Sequence, residues 1–404
     1  MIFNLLKAFS NKILLLSFLI YHGVGISNII IIYILYCTYK YYTEETNFIY
    51  QNTERNLKIV QSSKILKNPN FKPYFLLSNH FLQMIFQKSI HVKSNDLKFT
   101  KEKVKNSGAI LEWIEMGDKE QLSNSSIICQ DKILFIIPGL TGGKHDNYIC
   151  NISYEGIKNN YIVVVYQNVM LTEELFHPEQ GSQKKFDFFE DLDNALNHVQ
   201  TRYPNKKIYA VGYSYGANKL VKYLGSKNVL NKRIYCAVSV ANPFDMIVCQ
   251  RTLSELMDKL LLSFLKKVVN RQYAKYVHLD KHFEFNLHQA MKSKTLIEFD
   301  RCVVTRILGF KTVDDYYRGI SCIHDIRKVD IPLLCLNSLD DVISNPKCIP
   351  FDEVKLNENI FLLVTNSGSH LGWISNQSFF KLKQWMHEPI LDFFSSFDKC
   401  SLEL

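Results

Sequence analysis

The chain has 404 residues and a formal net charge of +9, from 48 Lys and Arg against 39 Asp and Glu. Hydrophobic residues make up 47% of it, which is enough for a sizeable core and excludes a mainly disordered chain. Its ten cysteines form no C-x-x-C pair and no Cys/His cluster, so neither a zinc site nor a redox motif is predicted.

The segment from Ile13 to Tyr39 is 27 residues long and contains no Lys, Arg, Asp or Glu. About 20 apolar residues cross a bilayer, so residues 13–39 are long enough for a transmembrane anchor. A cleaved signal peptide is the competing interpretation, but no small-x-small cleavage pattern follows. We expect a single-pass membrane protein of the endoplasmic reticulum or another endomembrane, with a short cytoplasmic N-terminus.

From residue 71 to residue 398, strand-like and helix-like patterns alternate. The strand-like runs before residue 241 are Ala109–Ile114, Lys132–Ile137, Tyr161–Tyr166, Lys207–Val211 and Ile234–Val240. From Phe186 to Tyr203, apolar residues recur at helical spacing until Pro204 ends the pattern. This alternation predicts one α/β domain over residues 71–398, with a mostly parallel central sheet flanked by helices.

The sequence Gly-Tyr-Ser-Tyr-Gly, residues 212–216, lies directly between the strand-like run ending at Val211 and a helix-like run, Ala217–Leu224. A G-x-S-x-G sequence in this context is typical of a nucleophile elbow, a sharp turn that exposes a serine oxygen at the sheet edge. Glycines are needed there because backbone segments approach too closely for side chains. We therefore predict that Ser214 is a nucleophile; a purely structural turn is the alternative.

A serine nucleophile needs a histidine to take its proton and an acid to orient that histidine, in the chain order Ser, acid, His for this kind of elbow. Asp340 and Asp341 follow the strand-like run Ile331–Asn337, and His370 follows the strand-like run Asn359–Val364. These groups therefore come just after strand ends, where an open α/β sheet gathers its active site.

Two adjacent residues at a strand end point in different directions, so only one of Asp340 and Asp341 can face His370. Asp341 comes directly before Val342, where the next segment starts, and this position favours Asp341 as the acid. Asp340 would then accept backbone hydrogen bonds that shape the loop.

The loop after the run Lys132–Ile137 has the sequence Pro-Gly-Leu-Thr-Gly-Gly. A developing oxyanion needs backbone N–H donors, one from the residue after the nucleophile and one from such an early loop. These donors are predicted to be the N–H groups of Tyr215 and Leu140. A phosphate-binding loop is excluded, since neither a P-loop ending nor G-x-G-x-x-G spacing is present.

Residues 244–320 contain successive helix-like patterns and no strand-like run, which predicts a helical cap inserted into the domain. From Arg251 to Ile320 there are 13 Lys and Arg against 8 Asp and Glu. A basic lid that meets an anionic bilayer is one interpretation; an amphipathic bundle with an ordinary solvated face is the other. No nucleic-acid-binding motif accompanies the charge, so nucleic acid is not an expected partner.

Six stretches resemble the membrane-anchored α/β-hydrolase family (AB hydrolase 4), which includes medium-chain ester synthase/esterases, monoacylglycerol lipases and phospholipase-like members. They are PGLTGG (138–143), VGYSYGANKLVKYLG (211–225), NPFD (242–245), DDYYRGIS (314–321), PLLCLNSLDD (332–341) and GSHLGW (368–373). The resemblance covers roughly residues 71–394, and on it Ser214, Asp341 and His370 match the family's nucleophile, acid and base.

The resemblance implies a serine carboxylic-ester hydrolase acting on lipid or medium-chain acyl esters through an acyl-enzyme, with no cofactor or metal. An acyltransferase would use the same residues, with an alcohol replacing water in the second step. A non-catalytic membrane receptor on the same fold is the alternative of a different class; an intact Ser, Asp and His argues against it.

Overall fold

The computed structural model describes residues 26–90, 96–105, 107, 109–117, 131–140, 142–167, 189–226, 233–273, 287–378 and 381–401. Its strands are β1 (Thr46–Tyr50), β2 (Leu97–Lys103), β3 (Ile110–Met116), β4 (Lys132–Ile137), β5 (Tyr161–Gln167), β6 (Lys207–Tyr213), β7 (Ile234–Val240), β8 (Leu333–Ser338), β9 (Ile360–Thr365), β10 (Ile374–Ser378) and β11 (Lys381–Gln384).

The first nine strands form one sheet in the order β2-β3-β5-β4-β6-β7-β8-β9-β1, and β10 pairs with β11 in a separate hairpin. Strands β4 to β9 are parallel to one another in the sheet interior, while β2, β3 and β1 pair antiparallel towards the two edges. The parallel strands are almost continuously apolar and buried, as expected when helices cover both faces. The predicted α/β class with a mostly parallel sheet is confirmed.

The strand order reverses at β4, which pairs with β5 on one side and with β6 on the other. In an open α/β sheet, such a reversal leaves a crevice outside the carboxyl ends of the strands, where ligands bind. The loop after β4 and the elbow after β6 therefore border the same crevice. The sheet topology alone brings these two predicted functional segments together.

The described helices are α1 (Ile26–Tyr42), α2 (Glu54–Ser62), α3 (His80–Phe86), α4 (Asn147–Lys158), α5 (Glu190–Arg202), α6 (Tyr215–Leu224), α7 (Met246–Thr252), α8 (Glu255–Tyr273), α9 (Leu287–Lys292), α10 (Leu296–Cys302), α11 (Val304–Leu308), α12 (Val313–Ile320), α13 (Phe351–Lys355) and α14 (His387–Ser401). Helices α2, α4 and α14 pack on one face of the sheet, and α5, α6 and α13 pack on the other. Two apolar cores result, one on each side of the sheet.

The region predicted as a helical cap, residues 244–320, contains α7 to α12 in its described part, between β7 and β8. These helices share a third apolar core that includes Leu265, Phe299 and Tyr316 and reaches Tyr215 at the start of α6. The cap therefore packs directly over the elbow.

The sheet also takes in β1, which pairs antiparallel with β9 from Thr46 opposite Thr365 to Tyr50 opposite Phe361. The domain consequently begins before residue 71, the boundary predicted from the sequence, because an edge strand supplied by residues 46–50 completes the sheet. None of the described helices is long and apolar enough to cross a membrane. Residues 13–25 of the predicted anchor lie outside the described residues.

Candidate active site

Ser214 sits at the turn between β6 and α6 with a backbone φ of 54° and ψ of −120°. A positive φ in a residue with a side chain costs on the order of 1–3 kcal/mol and persists only where neighbouring structure enforces it. Two backbone hydrogen bonds do so, from Ser214 N–H to the carbonyl of Val240 (2.8 Å) and from Asn218 N–H to the carbonyl of Ser214 (3.0 Å). The strained turn holds the serine oxygen above the sheet edge.

The two glycines of the elbow are required by close backbone contacts. A Cβ on Gly216 would collide with the carbonyl oxygens of Ile137 and Pro138, at the end of β4. A Cβ on Gly212 would lie 2.6 Å from the carbonyl oxygen of Gly216. The elbow and the loop after β4 therefore touch through backbone, as the sequence pattern predicts.

His370 lies in the loop after β9, and its Nε2 is 2.9 Å from Ser214 Oγ. The loop is tightly coiled: Ser369 and Leu371, on either side of the histidine, have φ values of 55° and 62°. Gly368 packs its backbone against the ring of Trp373, where a Cβ would lie 2.5 Å from the indole nitrogen. This compact loop turns the imidazole back towards the elbow.

The other nitrogen of His370, Nδ1, is 2.9 Å from Asp341 Oδ2 and 3.1 Å from Oδ1. The Asp341 side chain is fully buried, and Oδ1 also accepts hydrogen bonds from the N–H groups of Ile343 and Ser344, both at 2.8 Å. Because a carboxylate only accepts, the neutral imidazole carries its proton on Nδ1 and leaves the Nε2 lone pair for the Ser214 hydroxyl. Ser214, His370 and Asp341 are therefore connected in series by hydrogen bonds.

Asp340 makes a different contact. Its Oδ1 accepts a hydrogen bond from Ser369 N–H at 2.7 Å, so it braces the histidine loop through the backbone. Burial raises the pKa of the Asp340 carboxyl to about 7, although the Ser369 hydrogen bond lowers it. Of the two adjacent acids, Asp341 faces the imidazole and Asp340 faces the loop.

Leu140 follows Gly139 in the loop after β4, and Tyr215 directly follows Ser214 in the chain. A Cβ built on Gly139 would be only 3.4 Å from Ser214 Cβ, so the loop after β4 approaches the nucleophile closely. Gly139 N–H donates to the hydroxyl of Tyr148 at 3.3 Å, which fixes the start of this loop. Tyr215 is the first residue of α6, where backbone N–H groups point out from the helix end.

A cavity of about 80 Å³ lies between the elbow and the cap. Leu140 and Tyr215 line it together with mainly apolar side chains of the cap helices α7, α8, α10, α11 and α12. One carboxyl lines it: Asp300, whose Oδ2 accepts a hydrogen bond from the Tyr317 hydroxyl at 2.6 Å. Burial raises the pKa of Asp300 to about 7.

One support of the site, the segment that follows α1, has no recognisable signal in the sequence. The Glu44 carboxylate accepts hydrogen bonds from the N–H of Ser367 (2.9 Å) and from its hydroxyl. The carbonyl of Glu45 accepts from Asn366 N–H at 3.0 Å. Burial raises the pKa of Glu44. Residues 44 and 45 thus hold the loop that carries His370, more than 300 positions away in the sequence.

The spacing His387-x4-Asp392 matches an acyltransferase box of the family that the sequence resembles, and we interpret this match as chance. His387 is buried with Nε2 at 3.2 Å from Gln384 Oε1, and burial lowers its pKa to about 3. Asp392 accepts hydrogen bonds from the N–H groups of Lys64 and Ile65 beyond the end of α2. Each of the two side chains has a structural partner of its own.

A family model described as an alpha/beta hydrolase of unknown function matches residues 176–290, which include the elbow and the first part of the cap. The chain is 28% identical to embryogenesis-associated protein EMB8 of Picea glauca, over 72% of this chain and 64% of that protein. It is 29% identical to phospholipase ABHD3 of Bos taurus (65% and 63%) and 27% identical to a monoacylglycerol lipase of Saccharomyces cerevisiae (66% and 59%). The chain thus spans somewhat less than two thirds of the length of these curated relatives.

Proposed function

Because this chain is related to the α/β hydrolases, we propose that it is a serine carboxylic-ester hydrolase acting on lipid or medium-chain acyl esters. The observation that carries the proposal is the hydrogen-bonded series Ser214–His370–Asp341, with 2.9 Å between Ser214 Oγ and Nε2 and 2.9 Å between Nδ1 and the carboxylate. The serine of this series lies in the strained elbow, at the edge of the sheet where ligands bind in open α/β sheets.

In the first step Ser214 Oγ attacks the ester carbonyl carbon while His370 Nε2 takes the hydroxyl proton. Asp341, already bonded to Nδ1–H, stabilises the imidazolium that forms. His370 then gives the proton to the departing alcohol, leaving an acyl-enzyme on Ser214. Water, activated by the same imidazole, attacks the acyl-enzyme, and the acid is released.

Charge develops on the carbonyl oxygen when Ser214 attacks, and N–H donors beside the serine stabilise it. We assign this role to the backbone N–H groups of Leu140 and Tyr215. The assignment is supported by the close approach of the Gly139 backbone to Ser214 and by the position of Tyr215 at the start of α6. A pair of such donors contributes several kcal/mol to lowering the barrier.

The cavity under the cap favours a substrate with an acyl chain next to the scissile carbonyl. Its lining is mainly apolar and includes Leu140 and Tyr215, whose N–H groups are assigned to the oxyanion. At about 80 Å³ it is much smaller than the roughly 300–1,000 Å³ of typical ligand pockets. The cap helices must therefore shift for a medium acyl chain to enter. Two relatives, named as a phospholipase and a monoacylglycerol lipase, favour a lipid ester.

We further propose that residues 13–39 anchor the protein in an endomembrane, as their lack of charge indicates. Four apolar side chains on α1 are 41–60% exposed: Ile30, Ile31, Ile34 and Leu35. The Tyr33 hydroxyl donates to the carbonyl of Leu76, which brings a further exposed apolar residue beside α1. The cap helix α8 exposes Leu256, Leu260 and Phe264. Exposed apolar side chains of this kind are typical of membrane contact sites.

The function is tested with the full chain in detergent or vesicles, measured against p-nitrophenyl esters of increasing chain length and against acylglycerol and phospholipid vesicles. We expect release of fatty acid by the wild-type protein and a loss of several orders of magnitude in Ser214→Ala. Formation of ethyl esters when ethanol is added would identify acyl transfer instead. Equal turnover by Ser214→Ala would contradict the proposal.

A further inference from the structure

Two buried cysteines outside the proposed relay are in direct contact. Cys249 on α7 and Cys348 in the 3₁₀ helix Pro346–Cys348 have their sulfur atoms 3.3 Å apart. Both are almost fully buried, and all nine cysteines in the described part of the chain are free thiols. Cys348 Sγ also donates to the carbonyl of Asp245 at 3.5 Å, next to the start of α7. The pair lies where α7, the first helix of the cap, meets the segment after Asp341.

The two sulfurs belong to elements with different functions in the proposed site. Cys249 lies on the same short helix as Met246 and Gln250, which line the cap cavity. Cys348 ends the segment that starts at Asp341, and this segment is held to the end of β7 by the hydrogen bond from Ser344 Oγ to the carbonyl of Ala241. A covalent link between the sulfurs would tie a wall of the cavity to the acid loop.

We propose that Cys249 and Cys348 form a reversible disulfide that restrains the cap relative to the Asp341 loop. Bond formation requires the sulfurs to approach from 3.3 Å to about 2.05 Å, a small movement for a short helix and a loop. The effect on turnover rests on the proposed esterase function; the disulfide itself does not.

Hydrogen peroxide is the oxidant that balances the reaction. The Cys348 thiolate attacks one peroxide oxygen, giving a sulfenic acid and, after protonation, one water. Cys249 sulfur then attacks Cys348 sulfur, the S–O bond breaks, and the hydroxide leaves as a second water with the Cys249 proton. Two thiols are oxidised by two electrons in total while peroxide is reduced. The hydrogen bond from Cys249 lowers the pKa of Cys348, which favours Cys348 as the attacking thiolate.

The test treats the full chain with hydrogen peroxide or with dithiothreitol, alkylates the remaining thiols and maps them by mass spectrometry. We expect a linked peptide pair containing Cys249 and Cys348 after oxidation, which is absent after reduction and absent in Cys348→Ser. Cys322→Ser is the matched control, since Cys322 is a buried thiol that contacts Asn242 in the neighbouring turn. It should still form the link. If the partly exposed Cys302 is oxidised while Cys249 and Cys348 both stay open to alkylation after unfolding, the proposal is overturned.

The oxidised wild type should also melt several degrees higher than the reduced protein, because the link closes a loop of about 100 residues. The ratio of the decanoyl-ester rate to the acetyl-ester rate should be at least roughly threefold lower in the oxidised form than in the reduced form. The reason is that the long acyl chain needs the cap to move. Cys348→Ser should respond to peroxide in neither measurement. If the disulfide forms but changes neither the melting temperature nor the rate ratio, the proposed restraint of the cap is wrong. If the disulfide forms in a protein that has no esterase activity, only the proposed esterase function is contradicted.

Discussion

Replacing Asp341 by Asn is the most informative change at the candidate site, because Asp340 beside it offers a matched control. Asparagine keeps the size of the side chain and retains one oxygen to accept from Ile343 and Ser344 N–H, which Asp341 Oδ1 does at 2.8 Å. The nitrogen of the new amide would then face His370 Nδ1. The loop should stay folded while the relay loses its acceptor.

The expected magnitude follows from the imidazole tautomer. An amide donor opposite Nδ1 favours the tautomer with its proton on Nε2, which can no longer accept the Ser214 proton across 2.9 Å. Loss of the correct tautomer costs a factor of roughly 10⁴ in turnover, or about 5.4 kcal/mol of barrier. Asp340→Asn keeps an oxygen for Ser369 N–H and leaves the imidazole contact intact. Its turnover should stay within about tenfold of wild type.

The assay compares kcat/KM for a short soluble ester across wild type, Asp341→Asn and Asp340→Asn, at pH 8 and at equal folded concentration judged from the melting curve. Asp340→Asn should melt at a slightly higher temperature than wild type. At pH 8 the partly buried Asp340 carboxyl, with a pKa near 7, is ionised, and burying this charge destabilises the wild-type fold whereas the neutral amide does not. A larger rate loss in Asp340→Asn than in Asp341→Asn would refute the assignment of the acid.

Three further changes probe the elbow, the loop support and the cap. Gly216→Ala should lower the melting temperature and cut ester turnover at least about tenfold, since its Cβ would collide with the end of β4, whereas Gly143→Ala has room and should do neither. Glu44→Ala should reduce kcat more than it changes KM, because the Ser367 backbone loses its acceptor and the histidine loop loosens; an unchanged kcat would remove Glu44 from the site. Asp300, whose folded pKa of about 7 lies above its unfolded value, should destabilise the protein increasingly as pH rises from about 4 to 7, by at most about 4 kcal/mol. Asp300→Asn should lack this dependence. If the melting temperatures of the two proteins changed with pH in parallel from pH 4 to 8, the prediction would be contradicted.

The central strands could be predicted from the sequence because they are buried on both faces. Their apolar runs are nearly continuous, so β4 and β7 begin and end where the sequence pattern does, and β5 and β6 extend only one or two residues further. The edge strands are hard to predict for the opposite reason. β2 has the sequence LKFTKEK, and its three lysines are exposed, so its pattern resembles a loop.

The elbow serine and the loop histidine could be found because strand, turn and helix signals surround them. The choice between Asp340 and Asp341 depends on side-chain direction at a strand end, which the sequence constrains only weakly. The support from Glu44 is not predictable at all: it depends on β1 pairing with β9, which brings residue 44 to a loop more than 300 residues later. Long-range contacts of this kind leave no periodic signal.

The most direct test of the central claim is covalent labelling of the full chain by a fluorophosphonate probe, followed by mapping of the adduct by mass spectrometry. A serine activated by His370 should react within minutes and carry the adduct on the peptide that contains Ser214. Ser214→Ala, with an unchanged melting curve, should carry none. An adduct on another residue, or no adduct on a protein that melts cooperatively, would contradict the assignment of Ser214 as the nucleophile.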